Sequence, residues 1–257
     1  MIRRLVPRRL GSDEEATVVE HLTELRHRIF ISLAAVVPAF LVAYVFHEHL
    51  IEWLKRPLPD ERKDDLVTLS VVEPFTTAVK LSAIAAIALV LPIIVWQVWG
   101  FLAPAVDRAT QRVLSVFLAL ASLLFATGVT FAYFVVLPAA VKFLTNYDDN
   151  LYDIQIRASY YLSFTALVLL ASGLAFEMPI FILALVRIRV LSADKLRRNR
   201  RVGYVLMIVF AILLPTVDPV SLVFETVPLL ILFESSIWLA QLMEKRWNRR
   251  DETWDIE

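Results

Sequence analysis

Long apolar runs alternate with short polar intervals along the chain, and six runs stand out, at about 28–46, 74–102, 113–140, 160–186, 202–215 and 219–242. A helix rises about 1.5 Å per residue and a bilayer's hydrocarbon core is about 30 Å thick, so each of the first four is long enough to cross it. The fifth, "VGYVLMIVFAILLP", has 14 residues. As a helix it reaches only about 21 Å, so it must stand upright, meet a thinned bilayer or turn back. The pattern predicts an all-α membrane protein, one polytopic unit over residues 1–257, with six transmembrane helices of which the fifth and sixth are short. Pro38, Pro92, Pro179 and Pro228 interrupt the runs and predict kinked, curved helices, because a proline frees a carbonyl that neighbouring helices must satisfy. In the largest outer loop, His47 to Glu73, "HLIEWLKRPL" sets Leu50, Ile51, Trp53 and Leu54 on one helical face. That predicts a short interfacial helix with Trp53 at headgroup depth.

Composition strengthens this picture. Hydrophobic residues make up 58% of the chain and charged ones 20%, with a mean hydropathy of +0.65, more apolar surface than a soluble core absorbs. The 26 Lys and Arg split 19 to 7 between alternate intervals, which by the positive-inside bias puts both termini in the cytoplasm. Their match with 26 Asp and Glu argues against a nucleic-acid partner. The absence of cysteine excludes disulfides and thiolate chemistry. At the start, "MIRRLVPRRLG" carries Arg3, Arg4, Arg8 and Arg9, but "SDEEATVVEH" separates them from an apolar run of nearly 20 residues. That run is too long for a cleaved secretory signal, so the first helix is retained and these arginines set topology.

Candidate chemistry is sparse. There is no phosphate loop, nucleophile elbow or zinc helix, so neither catalysis nor a cofactor is expected. His47 and His49 form "HEH", but residues two apart do not share a helix face, so no metal is expected there. Four acids lie in or beside apolar runs: Glu177, Asp218, Glu225 and Glu234. A carboxylate at membrane depth costs roughly 2–4 kcal/mol, which makes each a candidate for function. Glu225 and Glu234 are nine residues apart, so at about 100° per residue they face roughly opposite ways. Buried acids and broken helices also suit a proton-coupled secondary transporter of small solutes. Against it, no inverted repeat is visible and the acids have no obvious cationic partner. An intramembrane protease is disfavoured because His21, His27, His47 and His49 all lie at or outside the ends of the first run.

The densest charge cluster is "EHLTELRHRIFI", Glu20–Ile31. Arg26 and Arg28 anchor the first helix by the positive-inside rule. Glu24 does nothing for insertion, so it needs either a binding role or a salt bridge with Arg28 four residues on.

Several stretches resemble the TatC subunit of the twin-arginine protein translocase. They are "HLTELRHRI", "EPF" (Glu73–Phe75), "QVWGFLAP" (Gln97–Pro104), "GVTFAYFVVLP" (Gly128–Pro138), "ASYYLSF" (Ala158–Phe164), "FEMP" (Phe176–Pro179), "LRRNRR" (Leu196–Arg201) and "DPVS" (Asp218–Ser221). They follow the family's order across nearly the whole chain. The resemblance implies a cupped six-helix receptor in a prokaryotic plasma membrane that binds twin-arginine signal peptides of folded precursors on its cytoplasmic face. It further implies assembly with single-span TatA/TatB-type subunits, and with other copies of itself, to export those precursors on the proton-motive force. By position, Glu24 would receive the signal's arginines, with Arg26, Arg28 and Phe101 shaping the site. Glu177, Asp218 and Pro57 match positions implicated in partner-helix contact or translocation.

Two departures stand out. A family glutamate in the first cytoplasmic loop aligns with Thr110, and a polar position early in helix six is Leu222. Asp107, three residues before Thr110, and Glu225, three after Leu222, are the expected substitutes.

Overall fold

The computed structural model describes the backbone of residues 18–63, 66–102, 111–148, 151, 154–187, 190–216 and 218–254. Among these residues the secondary structure is helical apart from one isolated bridge, between Val67 and Arg157. Among the described residues five helical runs are long and apolar enough to cross a membrane: Leu22–Val45, Glu73–Val98, Leu118–Asn146, Ala158–Arg187 and Pro219–Glu244.

Helix α1, Val18–Val45, starts about ten residues ahead of the first apolar run. "VVEHLTELR" consists largely of helix formers, so the polar segment continues the apolar helix and carries Glu24 and Arg28 on it. Along its described side chains only Ala43 is buried, and the helix rests mainly on α3, Glu73–Leu102. Between them α2, His47–Lys55, turns its apolar face inward and buries Leu54. Trp53, predicted to face the interface, is half-buried against protein. Its ring stacks on Tyr133, with centroids 4.2 Å apart and planes within 3°. Tyr133 also donates a 3.0 Å hydrogen bond to the Trp53 carbonyl, and Tyr161 donates one of 3.0 Å to that of Leu54. Protein packs against much of this amphipathic face.

The third span is α4, Gln111–Phe131, then a π-turn at Ala132–Val136, then α5, Leu137–Asn146, which carries it past the predicted end at 140. Pro138 explains the π-turn: its ring would press on the carbonyl four residues back, and the wider turn relieves this while Leu137 N–H bonds the Ala132 carbonyl. The fourth span splits into α6, Ala158–Phe176, and α7, Met178–Arg187, with Glu177 at the joint. Pro179 has no N–H to offer, and Glu177 N–H bonds the Leu174 carbonyl at 3.1 Å in a tightened turn. Helices α4 and α6 approach closely at two glycines. A methyl on Gly128 would come within 2.8 Å of the Ser172 carbonyl oxygen, and one on Gly173 within 2.5 Å of the Phe125 ring.

A short α8, Ala193–Arg198, is capped by Ser192 and leads into α9, Arg200–Leu213. At 14 residues α9 is short, as predicted. The sixth helix is not: α10, Pro219–Trp254, has 36 residues. The segment beyond the apolar run, "EKRWNRRDETW", is polar but rich in helix formers, so the helix outlasts the span. Asp218 starts it, accepting a 2.7 Å hydrogen bond from Ser221 N–H, with Pro219 in the first helical position.

Candidate functional site

At the end of the bundle where α1 begins and α3 finishes, Arg28 joins the two helices. Its Nη2 and Nε donate to Glu24 Oε1 at 2.5 and 3.1 Å, and its Nη1 to Gln97 Oε1 at 3.4 Å. The guanidinium fills the space beside Gly100, where an added Cβ would stand 2.1 Å from Nη1. Glu24 keeps 34% of its side chain accessible and Arg28 23%, so the pair sits at a rim open on one side. Phe101 is half-buried one residue beyond Gly100, and Arg26 is exposed on the other side of α1. Asp107 and Thr110 lie outside the described residues.

The acids in the apolar runs occupy three environments. Glu225 is buried and joined to two elements: Ser172 Oγ on α6 donates to its Oε1 at 2.8 Å, and Thr216 Oγ1 donates to Oε2 at 3.3 Å. Asp218, 3% exposed, is held by its capping bond, while its Oδ2 has no partner among the described residues. Glu177, 1% exposed in the joint between α6 and α7, has an unpartnered Oε1 among them. Glu234 faces the other way from Glu225, as the spacing predicts, accepting from the Tyr204 hydroxyl and pairing with Arg200 at 3.6 Å. Pro57 lies half-buried in the turn after α2.

At the opposite end of the bundle from Glu24, Glu73 makes a polar anchor that was not predicted. Its carboxylate accepts from Leu69 N–H at 3.0 Å, from Arg157 Nε at 2.9 Å and from Ser159 N–H at 3.4 Å. The carboxylate raises the pKa of Arg157, whose guanidinium also lies 5.0 Å from the Tyr160 ring centroid. The Val67–Arg157 bridge completes a tie between the segment before α3 and the segment before α6.

The family profile described as Sec-independent protein translocase protein (TatC) matches residues 20–228, from just ahead of Glu24 to Pro228 in α10.

The chain belongs to the TatC family.

It is 34% identical over 237 residues to the Sec-independent protein translocase protein TatC of Carboxydothermus hydrogenoformans, covering 91% of this chain and 96% of the relative. To TatCd of Bacillus subtilis it is 33% identical over 240 residues, covering 93% and 97%. A crystal structure of the twin arginine translocase receptor TatC in DDM superposes with a TM-score of 0.76 at 34% identity, over 86% of this chain and 99% of that one. A multi-pass TatC-family protein is a component of a protein translocase, and the solute-transporter alternative finds no support. Within the TatC fold, Glu24 and Arg28 were legible in advance, whereas Gln97, Gly100, Ser172 and Thr216 were not. Gln97 and Gly100 belong to "QVWGFLAP", but nothing in that motif reveals that its side is where Arg28 lies down.

Proposed function

We propose that this chain is the receptor of a twin-arginine translocase in a prokaryotic plasma membrane, with both termini cytoplasmic. It binds the twin-arginine signals of folded precursors at the Glu24 end of α1 and α3, and exports them on the proton-motive force with single-span TatA/TatB-type subunits and further copies of itself. The observation that carries this reading is the Glu24 carboxylate, seated at the α1–α3 junction yet one-third accessible. A carboxylate suits a guanidinium fork, and near the headgroups a reduced dielectric strengthens the contact. Phe101 offers an apolar wall beside it, Arg26 flanks it, and Asp107 supplies the second acid where Thr110 lacks one.

Partner helices meet the second group of residues. Glu177 has, in the joint between α6 and α7, an oxygen with no partner among the described residues, and a hydrogen-bond donor on a partner helix would satisfy it. Asp218 and Glu225 flank the start of α10, and Pro57 shapes the outer turn.

The test is complementation. Cells lacking their own TatC and given this chain, with matching single-span subunits, should export a folded twin-arginine reporter. Glu24→Gln should cut export sharply while the protein stays in the membrane at normal level; undiminished export by that variant would overturn the assignment.

A further inference from the structure

Arg28 already makes with Glu24 the contact that a signal arginine would make. It uses Nε and Nη2, one edge of the fork, on a single carboxylate oxygen, and its Nη1 rests on α3 against Gln97 and Gly100. A guanidinium arriving from outside therefore meets an acid with one oxygen already engaged, and a bidentate contact needs that oxygen released. The pair is within one helix and spaced i to i+4, so it re-forms without any loss of translational freedom.

We infer that Arg28 is the receptor's own occupant of Glu24, that a signal peptide binds by displacing it, and that Gly100 and Gln97 are positioning residues that set how firmly it is seated. This rests on the proposed role of Glu24 and adds to it a step that lowers affinity. Apparent affinity is the intrinsic affinity multiplied by the fraction of receptor in which Glu24 is free. Gly100 matters because it has no side chain: the guanidinium occupies the volume where any Cβ would stand. Gln97 accepts from the nitrogen that Glu24 does not use. Neither residue touches the signal in this scheme. Both act through Arg28.

The displacement has a distinctive consequence for selectivity. An internal competitor lowers the affinity of every ligand that needs Glu24 by the same factor. Removing it tightens twin-arginine and twin-lysine peptides equally and leaves their ratio unchanged.

The experiment measures binding of two synthetic signal peptides, one with paired arginines and one with paired lysines, to purified full-length receptor in detergent. The variants are Glu24→Gln, Arg28→Gln, Gly100→Ala and the double Arg28→Gln/Gly100→Ala. Arg28→Gln should bind both peptides tighter by roughly two- to five-fold, as expected for release of one partly exposed ion pair. Gly100→Ala, which keeps every charge and only evicts the flexible end of Arg28, should shift both in the same direction by less. The double variant should gain nothing beyond Arg28→Gln alone, because both changes remove the same contact. Unchanged or weaker binding by Arg28→Gln, with Glu24→Gln still damaging, overturns the displacement while sparing the receptor reading. Full additivity in the double variant, or a tightening confined to one peptide, also overturns it. Loss of any effect from Glu24→Gln overturns the underlying reading instead.

Discussion

Ser172 on α6 donates a 2.8 Å hydrogen bond to Glu225 on α10, so a hydroxyl from one helix answers a carboxylate from another in the apolar interior. Thr216 supplies the second hydroxyl from the segment between α9 and α10. Two donors on one acid account for a charge-bearing residue where the chain is otherwise hydrophobic. Glu225→Leu should strand both hydroxyls and lower the thermal midpoint of the purified protein, by the equivalent of about 1–3 kcal/mol. Glu225→Gln keeps one acceptor and should unfold closer to wild type while still impairing export. Wild-type export by Glu225→Gln would show that the acid is there for packing alone.

The Glu73–Arg157 pair ties the segments before α3 and α6 together through one largely buried carboxylate, 4% exposed, and one third-exposed guanidinium. Arg157→Leu leaves Glu73 short of its cation. The thermal midpoint should fall, by less than for a fully buried pair because the arginine side is open to solvent. Limited proteolysis of intact protein should then cut the 56–72 or 147–157 segments faster than in wild type. Equal cleavage rates would show that the backbone bridge at Val67 holds the loops unaided.

Gly203 on α9 sits under the Phe233 ring, with a would-be Cβ 2.1 Å from the ring's Cζ. Gly203→Val should push α9 off α10 and cost about 1–3 kcal/mol, as overpacking does. Adding Phe233→Leu should recover part of that loss. If the double variant is as unstable as the sum of the two single ones, the contact is not what limits the helix pair.

Asp107 is proposed to stand in for the acid that Thr110 lacks. Asp107→Asn should weaken twin-arginine peptide binding, and Thr110→Glu in that background should restore it. A Thr110→Glu that restores nothing would mean the loop after α3 does not contribute a carboxylate in this chain.

Much of this fold follows from the apolar runs, since length against bilayer thickness is a strong constraint. The sequence could not place the breaks within runs. Pro179 was expected to interrupt its run and Pro138 was not, yet Pro138 yields a π-turn in an otherwise continuous helix and Pro179 a joint at Glu177. The difference depends on what packs around each proline. The Trp53–Tyr133 stack was not legible, because an amphipathic nine-residue helix reads the same whether lipid or protein packs on it. At the site, Glu24 and Arg28 were legible as an i to i+4 pair, which depends on local spacing alone. Their seat on Gln97 and Gly100 joins residues about 70 positions apart, and no local pattern encodes which face of α3 meets α1.

The central claim is that the Glu24 carboxylate receives a signal arginine, and a cycle of four binding measurements tests it most directly. Wild-type and Glu24→Gln receptor are each titrated with a twin-arginine peptide and with its twin-glutamine counterpart. Glu24→Gln should weaken the arginine peptide by at least about ten-fold, in the range of a charge-assisted hydrogen bond, and leave the glutamine peptide unaffected. An equal loss for both peptides, or none for either, would contradict the claim.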